Sequence, residues 1–286
     1  MEPVLTLAQQ VELLDSFGLK IDDHHAAEKY LYDTNYYRLN GYARQFQYDP
    51  QNGDNRFEEG CSLGRIQDII AKDTRLSMEL FRCLTLVEKT VKARLAYNLG
   101  QVAGNEAFYL DSSNYVSVTG IEDFPGRLEE ELRRSQTPAI SRYMNNDGDL
   151  SKVPIWVAIE LFSFGSVSKI LEYYIYRGPR DAVAASFSEQ KQTFPSTIHS
   201  LSVLRNRCAH HGQIWHRRMG IMTPVKRKEH RHAPTFDPQG IYPAILALRR
   251  LLKSIDEGSE YIKGLFDCIE NNDLVFINGL LYPAPH

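Results

Sequence analysis

The residues in this chain best suited to chemistry stand together near its C-terminal third, as Arg205-Asn206-Arg207-Cys208-Ala209-His210-His211. An arginine keeps its proton in a protein and so offers a fixed cation to a phosphate. A histidine titrates near neutrality and can give or take a proton. With a ribose 2′-hydroxyl as nucleophile, a cation and a proton carrier are two of the three things needed to cleave an RNA phosphodiester, and that scheme calls on no metal or cofactor. On an ideal helix Arg205 and His210 diverge by about 140°. They converge on one phosphate only if the helix ends near His210 or if two copies of the helix face each other. A purely structural reading of the same residues puts Arg205 in an ion pair and His210 at the helix C-terminus, where a cation is favoured.

Other chemistries have less support. Cys208, His210, His211 and His216, followed by His230 and His232, are metal-ligand types. Yet no carboxylate or second cysteine stands at customary spacing and H-E-x-x-H is absent. No G-x-S-x-G elbow, G-x-x-x-x-G-K-[ST] loop or G-x-G-x-x-G turn occurs, which argues against serine hydrolysis, nucleotide hydrolysis and dinucleotide redox chemistry.

Charge is concentrated around the same motif. The formal net charge of −3 conceals a window from Arg205 to His232 with eight Lys or Arg, one acid (Glu229) and five of the nine histidines. A basic island on an otherwise acidic chain points to a localised polyanion site, with a solvated basic loop as the plainer alternative. Arg207, His211, Arg217 and Arg218 are the expected phosphate contacts beside the motif.

The elements that must position these residues are helical. Apolar residues at helical spacing predict two short helices around Leu7–Leu14 and Ala26–Leu31, and a third short element carries Asn35-Tyr36-Tyr37-Arg38-Leu39-Asn40-Gly41-Tyr42. After an Asp/Asn/Gly-rich loop, Asp49 to Gly60, Ser62 is placed to cap a long helix reaching about Leu99, with Gly100 as its stop. One helix is expected from Phe124 to Tyr143, ended by Asn145-Asn146-Asp147-Gly148-Asp149. Another follows Pro154, with a break at Ser163–Ser166 and a resumption over Val167–Tyr176. Pro195 opens the motif helix. Residues 212–238 are expected to be irregular, and two helices, 242–254 and 259–270, complete the chain. No strand ladder is expected. Glu88 on the long helix is placed to orient Arg205 or His210, or else to pair with Lys92 on the solvent side. Tyr36, Tyr37 and Tyr42 can stack bases, although aromatics at helical spacing, like Trp156 and Trp215, are first read as core.

The apolar fraction of 43% and charged fraction of 24% are those of an ordinary globular domain. Neither a secretory leader nor an apolar run of about 20 residues is visible. The four cysteines, Cys61, Cys83, Cys208 and Cys268, form no C-x-x-C pair. They read as buried thiols in a reducing cytoplasm.

Three stretches taken in order resemble the Abi-like (abortive infection, AbiD/AbiF) family of bacterial proteins. They are Asn35-Tyr36-Tyr37-Arg38-Leu39-x-Gly41-Tyr42, then Pro154-x-Trp156 to Glu160 with Ser163-Phe164-Gly165, then Leu204 to His211 followed by Trp215. The resemblance implies the HEPN superfamily, whose α-helical and often dimeric members are frequently metal-independent ribonucleases. Its Arg, polar residue, three variable residues, His pattern falls on Arg205, Asn206 and His210.

The expectation is therefore an all-α HEPN-like bundle, residues 56–286, with a small N-terminal helical appendage, residues 1–55. It would act in the cytoplasm as a homodimeric endoribonuclease in anti-phage defence, without metal, cofactor or membrane. Arg205, His210 and Asn206 would be catalytic. The alternative is a non-catalytic protein that holds a small noncoding RNA.

Overall fold

A 41-residue helix, Leu63–Ala103, runs through the computed structural model, which describes residues 4–103, 107–117, 123–135, 137–144 and 148–283. Its apolar stripe (Ile66, Ile69, Leu76, Leu80, Leu84, Val87, Val91, Leu95 and Leu99) is buried along the whole length. Ser62 caps it, its hydroxyl accepting from the Arg65 amide at 3.3 Å. Gly100 does not end it. The half-exposed Trp156 ring lies over Gly100, 3.5 Å from where a Cβ would stand, so the small residue serves packing. Trp156 is thus not the core residue expected, whereas Trp215 is fully buried.

Fourteen α-helices surround and include this one among the described residues. They are α1 (Leu7–Ser16), α2 (His24–Thr34), α3 (Tyr36–Ala43), the long α4 (Leu63–Ala103), α5 (Phe124–Arg134), α6 (Pro138–Ser141) and α7 (Ile155–Leu161). There follow α8 (Phe164–Tyr173), α9 (Arg177–Ser186), α10 (Phe194–Ala209), α11 (Arg227–His232), α12 (Tyr242–Leu252), α13 (Gly258–Glu270) and α14 (Leu274–Leu281). Helices α3, α7, α9, α10, α12 and α13 all pack on α4, and α10 also lies against α8 and α12. The protein is an all-α bundle.

Four expectations need correction. A two-stranded antiparallel hairpin, β1 (Gln47–Asp49) and β2 (Asp54–Phe57), occupies the predicted loop. Strands of three and four residues are too short to show alternation in sequence. The helix expected over 124–143 is two pieces, because Ser135 and Thr137 are extended ahead of Pro138, a residue that disfavours helical backbone before it. Asn145, Asn146 and Asp147 lie outside the described residues. The break at Ser163 is the N-cap of α8, whose hydroxyl accepts from the Ser166 amide, while Glu131 of α5 accepts from the Ser163 amide at 2.7 Å. Helices α9, α11 and α14 were not expected at all.

Candidate functional site

Helix α10 buries Ile198, Leu201, Leu204 and Cys208 and ends at Ala209, with His210 as C-cap. Its last carbonyls are closed by a Schellman arrangement. The His211 amide donates to Cys208 O at 3.1 Å and the Gly212 amide to Arg207 O at 2.8 Å. This places His211 at φ 55°, a left-handed position normally held by glycine. Asn206, His210 and His211 are all exposed.

Arg205 is held from beneath. Its Nε donates to Glu88 Oε2 at 3.0 Å and its Nη2 to Oε1 at 3.5 Å, while Nη1 donates to Asn206 Oδ1 at 3.2 Å. Glu88 also pairs with Lys92 at 3.1 Å, and both side chains are about nine-tenths buried, so this i,i+4 pair is internal and not on the solvent side. The group Lys92–Glu88–Arg205 carries one net positive charge and leaves part of the guanidinium facing outward. Arg205 does form an ion pair and His210 does stand at the helix end, so both features of the purely structural reading are present.

The remaining motif residues go elsewhere. Arg207, His211, Arg217 and Arg218 line a cleft of about 1070 Å³ whose opposite wall is α3 and the β1–β2 hairpin. Arg207 is largely buried; its Nη2 donates to Arg218 O at 2.9 Å, and its Nη1 is buried with no hydrogen-bond partner. Burial, with Arg217 close by, lowers the Arg207 pKa from its ordinary value. Arg218 pairs with Asp237 at 3.0 Å and Arg217 donates to Gln213. At the far end of the basic window Lys226 pairs with Glu189 at 2.8 Å, whereas Glu229, the window's one acid, is taken by Arg250 from outside it at 2.6 Å.

The N-terminal motif accounts for this wall residue by residue. Asn35 ends α2 and starts α3 at φ 70°, its side chain accepting from the Tyr37 amide at 2.8 Å. Asparagine tolerates that left-handed backbone better than most residues. Arg38 Nη1 donates to His211 O at 2.8 Å, tying α3 to the end of α10. A Cβ at Gly41 would stand 2.9 Å from Gln213 Oε1, so glycine permits the close approach. Tyr42 is core, stacked on Trp215, and its hydroxyl donates to Asp73 Oδ2 at 2.6 Å. Tyr37 is almost fully exposed at the cleft.

Asp73, on α4, is the joint of the assembly. Besides Tyr42 it accepts from the Ile214 amide at 3.1 Å and the Trp215 amide at 2.8 Å. Burial raises its pKa from the ordinary carboxylate value, opposed by those three donors and by Arg38. Asp73 interrupts the apolar stripe of α4, a signal visible in the sequence, whereas the roles of Arg38 and Gly41 rest on contacts with His211 and Gln213 and leave no local signal.

The ligand-type residues do not gather. Among the described residues no three His, Cys, Asp or Glu side chains come together as a metal site. Burial pushes the Cys208 thiol up to about 11 and His216 down to about 4, the latter ring lying edge-on to Trp215 at 4.4 Å. All four cysteines are free. No helix among the described residues is long and apolar enough to cross a membrane.

Compared with known proteins, the chain matches a family model described as Abi-like protein over residues 29–216, a span that holds α3, the middle motif and the Arg205–His211 motif. No curated protein and no solved structure matches it.

Proposed function

The chain belongs to the Abi-like family, and on that premise we propose that it is a metal-independent endoribonuclease of the HEPN type acting in bacterial abortive-infection defence. The observation that carries the reading is the buried Lys92–Glu88–Arg205 chain, which fixes a cation beside exposed Asn206 and His210 at the end of α10. Of a guanidinium's five N–H donors, three are engaged by Glu88 and Asn206, and the rest remain for a phosphate.

In this scheme the 2′-oxygen attacks phosphorus and the P–O5′ bond breaks, giving a 2′,3′-cyclic phosphate and a 5′-hydroxyl. A histidine takes the 2′-proton and a second proton carrier supplies the leaving oxygen. Arg205 stabilises the charge that grows on the phosphorane-like transition state, where preorganised donors act most strongly. Asn206 positions the scissile phosphate. One chain brings one His210, so a homodimer pairing two α10 ends supplies both base and acid. The substrate is single-stranded or loop RNA, because A-form geometry holds the 2′-oxygen away from in-line attack.

Arg205→Ala and His210→Ala should each lower cleavage of an unstructured RNA by about 10²–10⁴, with thermal unfolding little changed. Cleavage should survive EDTA and fail on RNA with a 2′-O-methyl group at the cut. Full activity in both variants removes the assignment. Light scattering checks the dimer: a protein that is strictly monomeric and fully active excludes the composite site.

The second reading, an RNA-binding protein without cleavage, is favoured by the arginine-lined cleft, whose lining does not include His210. A gel shift without histidine-dependent cleavage would select it.

A further inference from the structure

The cleft between α3, the hairpin and the segment after α10 has no part in the cleavage scheme, yet its walls carry chemistry for a ligand. Five guanidiniums line it: Arg38, Arg44, Arg207, Arg217 and Arg218. Against them stand Asp49 on the rim, Asp237 paired with Arg218, and Asp73 beneath, facing Arg38 and Arg207. Among the described residues these guanidiniums outnumber the acids around them. An internal phosphodiester carries a single negative charge, whereas a phosphate monoester carries about 1.5–2 at neutral pH.

Two buried polar atoms in the lining lack partners. Arg207 Nη1 is an unsatisfied donor, and Gln47 Oε1 is an unsatisfied acceptor. The Gln47 amide orientation is settled by its own bonding, since Nε2 donates to Asn55 O at 2.9 Å and Oε1 must then be the free end. Gln47 is only 8% exposed. A buried polar atom left unpaired is costly; both atoms lie just below the accessible surface, so a ligand that draws the two side chains toward the cleft gains a pairing from each. Such a ligand needs an anionic oxygen for Arg207 and an N–H or O–H for Gln47. Two exposed aromatic faces, Tyr37 and Tyr48, flank the same space. Its volume of about 1070 Å³ lies just above the range for small-ligand pockets, about 300–1,000 Å³.

We propose that this cleft is a nucleoside 5′-phosphate site, with the phosphate among Arg38, Arg44 and Arg207, the base stacked on a tyrosine, and a base or ribose hydrogen donated to Gln47. The nucleoside phosphate is either a free nucleotide or the 5′-phosphorylated end of an RNA strand. The N-terminal appendage, residues 1–55, supplies one wall, so occupancy fastens it to the end of α10 through Arg38 and His211. The site does not depend on the cleavage reading.

The test uses the full chain carrying His210→Ala, so that loss of cleavage cannot be confused with loss of this site. Fluorescence anisotropy compares a short single-stranded RNA bearing a 5′-phosphate with the same RNA bearing a 5′-hydroxyl, with nucleoside monophosphates and inorganic phosphate as competitors. The 5′-phosphate should tighten binding at least tenfold. Arg44→Glu, at an exposed residue, should abolish that preference, and Tyr37→Ala should weaken it about threefold. Competition by monophosphates at the affinity of the RNA end identifies a free nucleotide as sufficient. Much weaker competition identifies the RNA end. Equal binding of the two RNAs, with monophosphates no better than inorganic phosphate, overturns the proposal, as does an Arg44→Glu variant that keeps the full preference.

Discussion

Arg205 and Arg207 stand two residues apart on the same helix and are treated in opposite ways. Arg205 is paired with a buried carboxylate that is itself paired with Lys92, and its outer edge meets solvent. Arg207 is drawn under the surface with one nitrogen unpartnered and other cations around it. A cation held by a carboxylate is preorganised: it loses little freedom when charge develops next to it. A cation drawn under the surface with one nitrogen unpaired gains when an anion arrives. The first arrangement suits a transition state, the second a bound ground state. On the two proposals above, the helix end separates reacting from holding, and the two faces can be disturbed one at a time.

The largest effect should come from Asp73, which belongs to the cleft face alone. Asp73→Ala strands the Tyr42 hydroxyl and the Ile214 and Trp215 amides in the interior. Stability should fall by about 3–5 kcal/mol, and the cleft should lose its ligand even where the fold survives. Urea unfolding measures this, and a loss below about 1 kcal/mol would show that the clasp is not what joins α3 to the segment after α10.

Glu88→Gln tests the other face. The side chain keeps its shape but no longer anchors Arg205 by charge. Misplacement of a catalytic group by even an ångström costs about 10² in rate, so kcat should fall by roughly that factor with KM nearly constant. Nucleotide binding at the cleft should not change. A rise in KM with kcat preserved would mean that Arg205 contributes to ground-state binding, and the contrast between the two faces would disappear.

Acid should separate them as well. His216 has its pKa lowered by burial to about 4 from 6.5. Between those values the unfolded chain binds a proton that the folded chain refuses, so stability falls as pH is lowered from about 6.5 towards 4. With allowance for partial exposure the loss amounts to roughly 2 kcal/mol. Because the ring lies against Trp215, the loosening should begin at the cleft wall. His216→Asn keeps a residue that tolerates φ 55° and should flatten the pH dependence of the urea midpoint; an unchanged slope would place the acid sensitivity elsewhere.

The same contrast explains what the sequence makes legible. The stripe of α4, the cap at Ser62 and the run Leu204–His211 are local patterns, and local patterns survive translation into structure. Helix α14 escaped because Leu274–Leu281 is apolar nearly all round and has no polar face to give a period, although its cap, Asp273, was visible. In α9 the Gly178-Pro179 pair suggests a break, yet a proline in the first turn of a helix does no harm. Glu88 was legible as a partner for Arg205 because both lie on long, regular helices. The cleft was not, since Arg38 and His211 meet across 173 positions of sequence, and no spacing rule reaches that far.

The smallest effect expected lies where the two faces meet. His211 completes the cap of α10 at φ 55°, and its carbonyl holds Arg38. A non-glycine residue in that backbone region costs about 1–2 kcal/mol, and glycine would relieve the strain while adding unfolded-state entropy worth about 0.4–1 kcal/mol. His211→Gly should therefore stabilise the protein by about 0.5–1 kcal/mol, visible as a rise in Tm of roughly 1–3 °C. The backbone carbonyl remains, so the Arg38 contact should survive. What disappears is an imidazole that lines the cleft and stands one residue from His210. If His211 only shapes the helix end, the variant will be more stable with cleavage and cleft binding unaltered. A more stable variant that binds a 5′-phosphate less well would place the imidazole with the holding face. One that cleaves more slowly with binding intact would place it with the reacting face. A variant that is less stable than the parent would remove the strain argument, and the left-handed histidine would have to be favoured by contacts of its own ring.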